Sequence, residues 1–373
     1  ELLPDRAAVL AMNFPEAKVV QGDVADCMAE LVRETRRSLA GRRLDVLFAT
    51  PPCQGMSKNG RGKLLNGVRA GNRPRLDPRN QLILHALAFA KELRPRLVVF
   101  ENVPEMLNTV IEAPNGSLQP VLDVVRKELG PDYAGGWEVV EFADYGVPQR
   151  RQRLITVFST EPKVWEDLRA RGSLLPPRSH SAQPAAGKQP WVTVEQALLG
   201  VPPLDASCPE LAHSEDVPFH RVPLLDEAKY FWVSNTPPGC GAFDNQCVNP
   251  ECLFQGNETH GAVKDGRGVN RAKRDTPIRC ASCGELLPRP WVEEAGGYRL
   301  MSGYKSAYKR MRGDLPASAL TRNLSYASSD QKVHPTQNRV LSLHEAFILH
   351  TVSRYPFEWG RADGKRLSDK TIR

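Results

Sequence analysis

The chain has 373 residues, enough for one large core and a smaller module, with 41% apolar and 25% charged residues as in ordinary globular proteins. No apolar run nears the roughly 20 residues needed to cross a bilayer, and no basic-then-apolar leader opens the sequence, so a membrane partner is excluded and a cytoplasmic monomer is expected. A net charge of +7 and a pI near 9.0 point to a polyanionic partner.

Over the first 160 residues strand and helix signals alternate, the pattern of an α/β domain. Lys18–Gln21 reads as a short strand ending at Gly22-Asp23, followed by an amphipathic helix through Met28, Leu31, Val32 and Leu39. Leu44–Ala49 reads as a buried strand stopped by Pro51-Pro52. From Gly55 to Arg79 the basic residues Lys58, Arg61, Lys63, Arg69, Arg73, Arg75 and Arg79 stand against one acid, Asp77. Rich in Gly and Asn and without an apolar period, this stretch predicts a mobile loop. A solvated surface loop fits, but its place directly after Cys53 favours phosphate contact.

Leu82–Leu93 has apolar residues at helical spacing, Leu97–Phe100 is a second buried strand ending at Glu101-Asn102, and a helix is expected at Val121–Leu129. Strands near Trp137–Phe142 and Leu154–Phe158 complete the series. Continuous apolar strands bounded by helices predict a doubly wound, mostly parallel sheet, with chemistry at the carboxyl ends of its strands, where Asp23, Cys53 and Glu101 fall. After about Pro176 the texture changes to Pro, Ser and Gly with short strands, until a helical pattern returns at His334.

Three strings carry candidate chemistry. Thr-Pro-Pro-Cys-Gln-Gly places Cys53 after two prolines that fix the backbone, with Gln54 and Gly55 behind it. Glu-Asn-Val-Pro places a carboxyl group, Glu101, at the mouth of an apolar strand, where it can pass a proton; a helix cap or surface acid is the bland alternative. Tyr-Gly-Val-Pro-Gln-Arg-Arg-Gln-Arg, residues 145–153, alternates Arg151 and Arg153, which an extended segment would point to one face.

In this order the strings resemble the nucleophile, ENV and QRRxR motifs of the cytosine-5 DNA methyltransferase family. Glu1 with the helix ending at Asn13-Phe14 is similar to that family's second motif, and Gly22-Asp23-Val24 to its third. His334–Phe347 resembles its ninth, with His344 in place of an arginine. The resemblance covers most of residues 1–160 and about 315–360. It implies a class I, Rossmann-like methyltransferase fold with a smaller, irregular target-recognition domain. The expected layout is a catalytic domain at 1–175, a target-recognition domain at 176–332 and a return segment at 333–373.

The resemblance implies S-adenosylmethionine as methyl donor and double-stranded DNA as substrate. Cys53 would be the nucleophile, Glu101 the group at ring N3, Asn102 a brace for the nucleophile loop, and Arg151 and Arg153 the holders of base and adduct. Glu1 would bind the ribose hydroxyls and Asp23 the adenine amino group, with Val24, Leu82 and Pro52 around the adenine; Leu2 stands where the family often has an aromatic residue. The family's first motif, a Phe-x-Gly-x-Gly loop, and its last are not among these residues. They are expected in the remainder of a longer, bacterial or phage-encoded chain or in a complementary polypeptide.

Of the eight cysteines, Cys240, Cys247, Cys252, Cys280 and Cys283 crowd into one segment, which in a cytosolic protein points to metal. Cys280-x-x-Cys283 followed by Gly284 has knuckle spacing, and Cys247-x4-Cys252 supplies a second pair, predicting a structural zinc ribbon at about 240–284. Cys240 could replace Cys247, and His260 is a further candidate ligand. Around the ribbon lie Lys264, Arg267, Arg271, Lys273 and Arg274, then Tyr304, Lys305, Tyr308, Lys309, Arg310 and Arg312. Basic residues interleaved with Tyr suit DNA contact, as do Gln54, Gly55, Lys58, Arg61, Lys63 and Gln149; a solvated face shows the same pattern. The expected activity is sequence-specific methylation of cytosine carbon 5 in duplex DNA. The rivals are an RNA cytosine methyltransferase and one subunit of a split or inactive enzyme acting as a DNA-binding module.

Overall fold

The computed structural model describes residues 1–52, 77–183, 185–265, 270–360 and 367–372. The chain divides into two compact units, the first of Glu1–Phe142, Gln152–Arg178 and Glu358–Arg366, the second of Ala143–Arg151, Ser179–Phe357 and Leu367–Arg373. Among the described residues no helix is long and apolar enough to cross a membrane.

The first unit opens with α1 (Pro4–Asn13), where proline takes the first helical turn, and α2 (Val24–Leu39), whose N-cap Asp23 accepts from the Ala25 amide. Next come β1 (Val46–Ala49), α3 (Ile83–Leu93), β2 (Leu97–Asn102) and the small hairpin β3 (Val110–Glu112) and β4 (Leu118–Pro120). The unit continues with α4 (Val121–Leu129) and β5 (Ala134–Glu141). The strand β6 (Gln149–Arg150) belongs to the second unit, and β7 (Gln152–Ser159) and α5 (Pro162–Arg171) return to the first.

The sheet has the order β1-β2-β7-β5. Only β1 and β2 run parallel; β7 lies antiparallel to both β2 and β5. The expectation of a mostly parallel sheet is therefore corrected to a mixed one among the described strands, because β7 enters the sheet reversed between two neighbours. Where β5 meets β7 the backbones approach so closely that a Cβ on Gly135 would lie 1.9 Å from the Val157 carbonyl oxygen. Val98 and Phe100 of β2 and Leu154 and Phe158 of β7 bury against Ile83, Leu87 and Ala90 of α3 and Val121, Leu122, Val124 and Val125 of α4. Alternation along β2 sends Asn102 to the buried side with Val98 and Phe100, and Glu101 to the opposite face.

The expected strand at Lys18–Gln21 does not form; these residues make no ladder, and the Val20 carbonyl accepts from the Glu1 amino group at 3.0 Å. Asp23 thus sits at a helix N-terminus and not at a strand end. Although α2 is strongly amphipathic, none of its residues is buried, and α1 buries only Ala7 and Val9. Leu2, Leu3, Leu10, Phe14, Val24, Val46 and Phe48 are all exposed.

The second unit contains β8 (His180–Ser181), β9 (Gln189–Pro190), α6 (Val194–Ala197) and α7 (Glu227–Ser234). After these come β10 (Ala262–Lys264), β11 (Asn270–Ala272), β12 (Trp291–Glu294), β13 (Gly297–Leu300), β14 (Ala317–Ser318) and α8 (Leu343–Leu349). Among the described residues its strands pair only in two-stranded ladders, so much of the buried backbone must find partners among side chains. Arg310 supplies several: its guanidinium, 3% exposed as a residue, donates to the carbonyls of Val233, Thr236, His334 and Gln337. Burial pulls Arg310 down to about 10, which still leaves it charged at neutral pH. The fully buried pair Arg339–Glu345 fixes the start of α8, where Ser342 and Glu345 form a reciprocal capping box.

His334 lies beside this pair and accepts the Thr336 and Gln337 amides at Nδ1. Burial, helped by Arg339, pulls its pKa down to about 3, so it is neutral in the folded protein. Below the unfolded value of about 6.5 the unfolded chain binds a proton that the folded one refuses, so stability falls with pH in this window. Chemical denaturation at pH 7.5 and 5.5 should show a loss on the order of 1 kcal/mol from this group. His334→Asn, whose Oδ1 can accept the same amides, should reduce that slope; an unchanged slope would refute the assignment.

Candidate active site and metal centre

In the first unit the sheet brings two of the sequence-selected residues into direct contact. β2 and β7 pair with Glu101 opposite Ile155 and Asn102 opposite Leu154, which leaves Arg153 one step beyond. Its Nε lies 2.6 Å from Glu101 Oε1, with side-chain exposures of 15% and 25%. Arg153 Nη1 also donates to the Gln152 carbonyl at 2.7 Å. A guanidinium so placed holds the carboxyl group in one orientation through a charge-assisted hydrogen bond.

On the other side of β2, buried Asn102 donates from Nδ2 to the Pro51 carbonyl at 3.2 Å and accepts the Val103 amide at Oδ1. The end of β2 is therefore tied to the Pro51-Pro52 step that follows β1. Cys53, Gln54, Gly55, Lys58, Arg61 and Lys63 lie outside the described residues.

The acids selected for the cofactor are brought near one another, since the Gly22 amide donates to the Glu1 carbonyl at 3.0 Å. Each is also a local cap, Glu1 Oε1 accepting from Leu3 and Asp23 Oδ1 from Ala25. Both remain exposed. Val24 and Pro52 are exposed, while half-buried Leu82 closes the 3-10 turn Pro78–Leu82 ahead of α3.

Two DNA-contact expectations in the second unit are corrected. Gln149 is fully buried, with Nε2 donating to the Leu349 carbonyl at 3.3 Å and Oε1 accepting the Leu320 amide at 3.1 Å. Tyr308 is buried edge-on against Trp232 at 5.3 Å, with a left-handed φ of 53°. Neither side chain is available to a nucleic acid. Arg310, from the same basic run, is committed to the carbonyls described above. Tyr304 does stay exposed, with the Arg271 guanidinium 4.4 Å from its ring centre, and Lys305 and Lys309 are half-buried. Arg151 Nη1 lies within reach of the Leu320 carbonyl at 3.5 Å.

The four cysteines selected as metal ligands converge. All four Sγ atoms of Cys247, Cys252, Cys280 and Cys283 lie within 4.8 Å of one another. Cys247–Cys283 and Cys252–Cys280 are 3.7 and 3.8 Å apart. A tetrahedron of sulfurs at about 2.3 Å from zinc has edges of about 3.8 Å, so spacing and donor type fit that ion. Gly284, with φ of 76°, makes the knuckle turn and donates to the Cys280 carbonyl. Desolvation pushes the Cys280 thiol up, but the amides of Cys283 and Ser282 and the Asn257 side chain outweigh it and bring it down to about 6. The Glu285 amide favours a Cys283 thiolate, yet desolvation and the neighbouring thiols drive that group up to about 12. Such crowding of thiols is relieved by a divalent cation at their centre.

The alternative ligands are settled among the described residues: Cys240 stands outside the cluster, and the His260 ring is engaged with Thr276 and the Lys273 amide. Asn257 was not selected from sequence. It points Nδ2 at Cys280 Sγ and accepts the Ala281 amide, a role that only its position five residues after Cys252 could have suggested.

The model of the C-5 cytosine-specific DNA methylases matches residues 1–190. The type II methyltransferase M1.HgaI of Avibacterium volantium is 28% identical over 335 residues, covering 90% of this chain and 73% of its own. M.AquIA of Picosynechococcus is 29% identical over 212 residues, covering 54% of this chain and 77% of its own. M.XorII of Xanthomonas oryzae is 34% identical over 161 residues, covering 41% of this chain and 32% of its own. With more than half of its residues matched by the family, and with that family's ordered strings at the end of β2 and the start of β7, the chain is a member of the C-5 cytosine-specific DNA methyltransferases.

Proposed function

We propose that this enzyme is the modification methyltransferase of a bacterial or phage type II system, acting in the cytoplasm. It methylates carbon 5 of a cytosine flipped out of a specific duplex DNA sequence. S-adenosylmethionine, when bound, supplies the methyl group. The observation that carries this reading is the Glu101–Arg153 pair at 2.6 Å beside the Asn102–Pro51 tie.

Cytosine carbon 5 is a poor nucleophile because the ring is electron-poor. Addition of the Cys53 thiolate to carbon 6 forms a C–S bond, and the displaced π electrons give carbon 5 enamine character. Glu101 donates a proton to N3 as the adduct forms, and Arg153 keeps that carboxyl group oriented. Arg151 holds the base. After methyl transfer, loss of the carbon 5 proton to water re-forms the double bond and expels the thiolate, and N3 returns its proton to Glu101. Extruding the base from the duplex exposes carbon 6 to the nucleophile. Glu1 and Asp23, with Val24, Leu82 and Pro52, form part of the cofactor pocket.

Among the described residues nothing pairs with the outer edge of β1 and no residue of α2 is buried, which supports a further element of this reading. A complementary apolar segment, in the same polypeptide or in another, covers that side and completes the cofactor pocket. In the second unit Cys247, Cys252, Cys280 and Cys283 hold a structural zinc ion. Tyr304, Lys305 and Lys309, with Gln54, Gly55, Lys58, Arg61 and Lys63, contact DNA.

Duplex DNA carrying 5-fluorocytosine should trap a covalent complex, because the fluorine cannot leave as the proton does. Cys53→Ser should abolish the adduct, and an adduct surviving that change would refute the nucleophile. Glu101→Gln should lower kcat by about 100-fold or more, the scale of losing a general acid, with DNA affinity nearly kept. Full activity in that variant would remove Glu101 from the chemistry. Elemental analysis should find one zinc per chain, absent in Cys280→Ser; metal-free protein purified without chelator would refute the ribbon.

A further inference from the structure

We infer that Gln149 is a positioning residue that fixes Arg151 for the reaction by clamping the segment Ala317–Leu320. The inference rests on the reading of Arg151 as the holder of the base. β6 and β14 pair in parallel, Gln149 opposite Ala317 and Arg150 opposite Ser318, with the Ala317 amide donating to the Pro148 carbonyl at 3.0 Å. The ladder is two residues long and is too short to hold a strand in place by itself.

Side chains supply the rest. Gln149 Oε1 takes the Leu320 amide, and Arg151 Nη1 reaches the carbonyl of the same residue at 3.5 Å. Leu320 is thus gripped on both its polar backbone groups by side chains two positions apart. The other end of the Gln149 carboxamide donates to the carbonyl of Leu349, the last residue of α8. That helix is anchored by buried Glu345, which accepts two hydrogen bonds from Arg339 at 2.6 and 2.7 Å. Behind the clamped segment, buried Lys332 donates to Ser318 Oγ at 3.3 Å and to the Ala319 carbonyl at 3.2 Å.

The chemistry of the clamp explains the residue type. One buried group must accept from an amide and donate to a carbonyl in opposite directions, which a carboxamide does without charge. An apolar substitute leaves both backbone groups unsatisfied at the position that sets where Arg151 can reach. A displacement of about 1 Å in a group that positions substrate can lower a rate by about 100-fold.

The test uses the full-length protein with tritiated S-adenosylmethionine and unmethylated bacterial genomic DNA. Gln149→Met, of similar volume, should lower kcat by about 10- to 100-fold while KM for DNA stays within about threefold and zinc content holds, the melting temperature falling by what the two orphaned backbone groups cost. Added to Arg151→Lys, it should produce no further loss of kcat, because both changes remove the same positioned guanidinium. An undiminished kcat in Gln149→Met would overturn the clamp. So would a loss that falls on DNA affinity as much as on kcat and adds to that of Arg151→Lys, since that describes a merely structural residue. If Arg151→Lys itself kept full kcat, the reading of Arg151 as base holder would fail first, an outcome visible without the Gln149 variant.

Discussion

The reversed entry of β7 between β2 and β5 is the constraint on which the catalytic half depends. Because β7 runs antiparallel to β2, its first residues lie beside the last residues of β2, so Arg153 near the start of β7 comes to lie next to Glu101. A parallel β7 would place its start at the opposite end of the sheet, some 20 Å away for strands of this length. The same ladder buries Leu154 and Phe158 in the core, so the ion pair inherits the rigidity of the sheet. Asn102 extends this order across β2 to Pro51 and therefore to the base of the segment that begins with Cys53.

The second unit solves a different problem. It has few ladders and much irregular backbone, and buried carbonyls without partners would cost too much. Arg310 answers this as a multi-donor cation wrapped in carbonyl oxygens, Lys332 by donating to one carbonyl and one hydroxyl, and Gln149 as a neutral bridge. The cysteine cluster brings together segments separated by nearly thirty residues with little apolar surface of their own. Charged side chains that a sequence reader assigns to the surface are here part of the interior.

That difference marks how far the sequence could be read. Helix Val121–Leu129 was expected with the bounds it has, and β2 and β7 within two residues, because apolar periodicity and flanking breakers report burial directly. Lys18–Gln21 was expected as a strand and is not one; apolar residues before a Gly-Asp turn signal extended chain, and a ladder also needs a neighbour. Tyr308 and Arg310 failed as DNA contacts because a run of alternating basic and aromatic residues is compatible with either a surface or a core knitted by guanidinium groups. Local sequence holds no term that separates these.

What the sequence determined by itself is the chemistry available: a cysteine after two prolines, a carboxyl group at the end of an apolar strand, arginines in an extended run, and four thiols at knuckle spacing. Those features are local, and short-range sterics and residue type suffice to specify them. The tertiary structure alone decided which groups meet. Strand direction joined Arg153 to Glu101, and burial turned Gln149 from a surface candidate into an interior bridge. Convergence of two distant pairs singled out Cys247, Cys252, Cys280 and Cys283 over Cys240 and His260. Each of these is a contact between residues far apart in the chain, set by the packing of whole elements, and no window of sequence contains both partners.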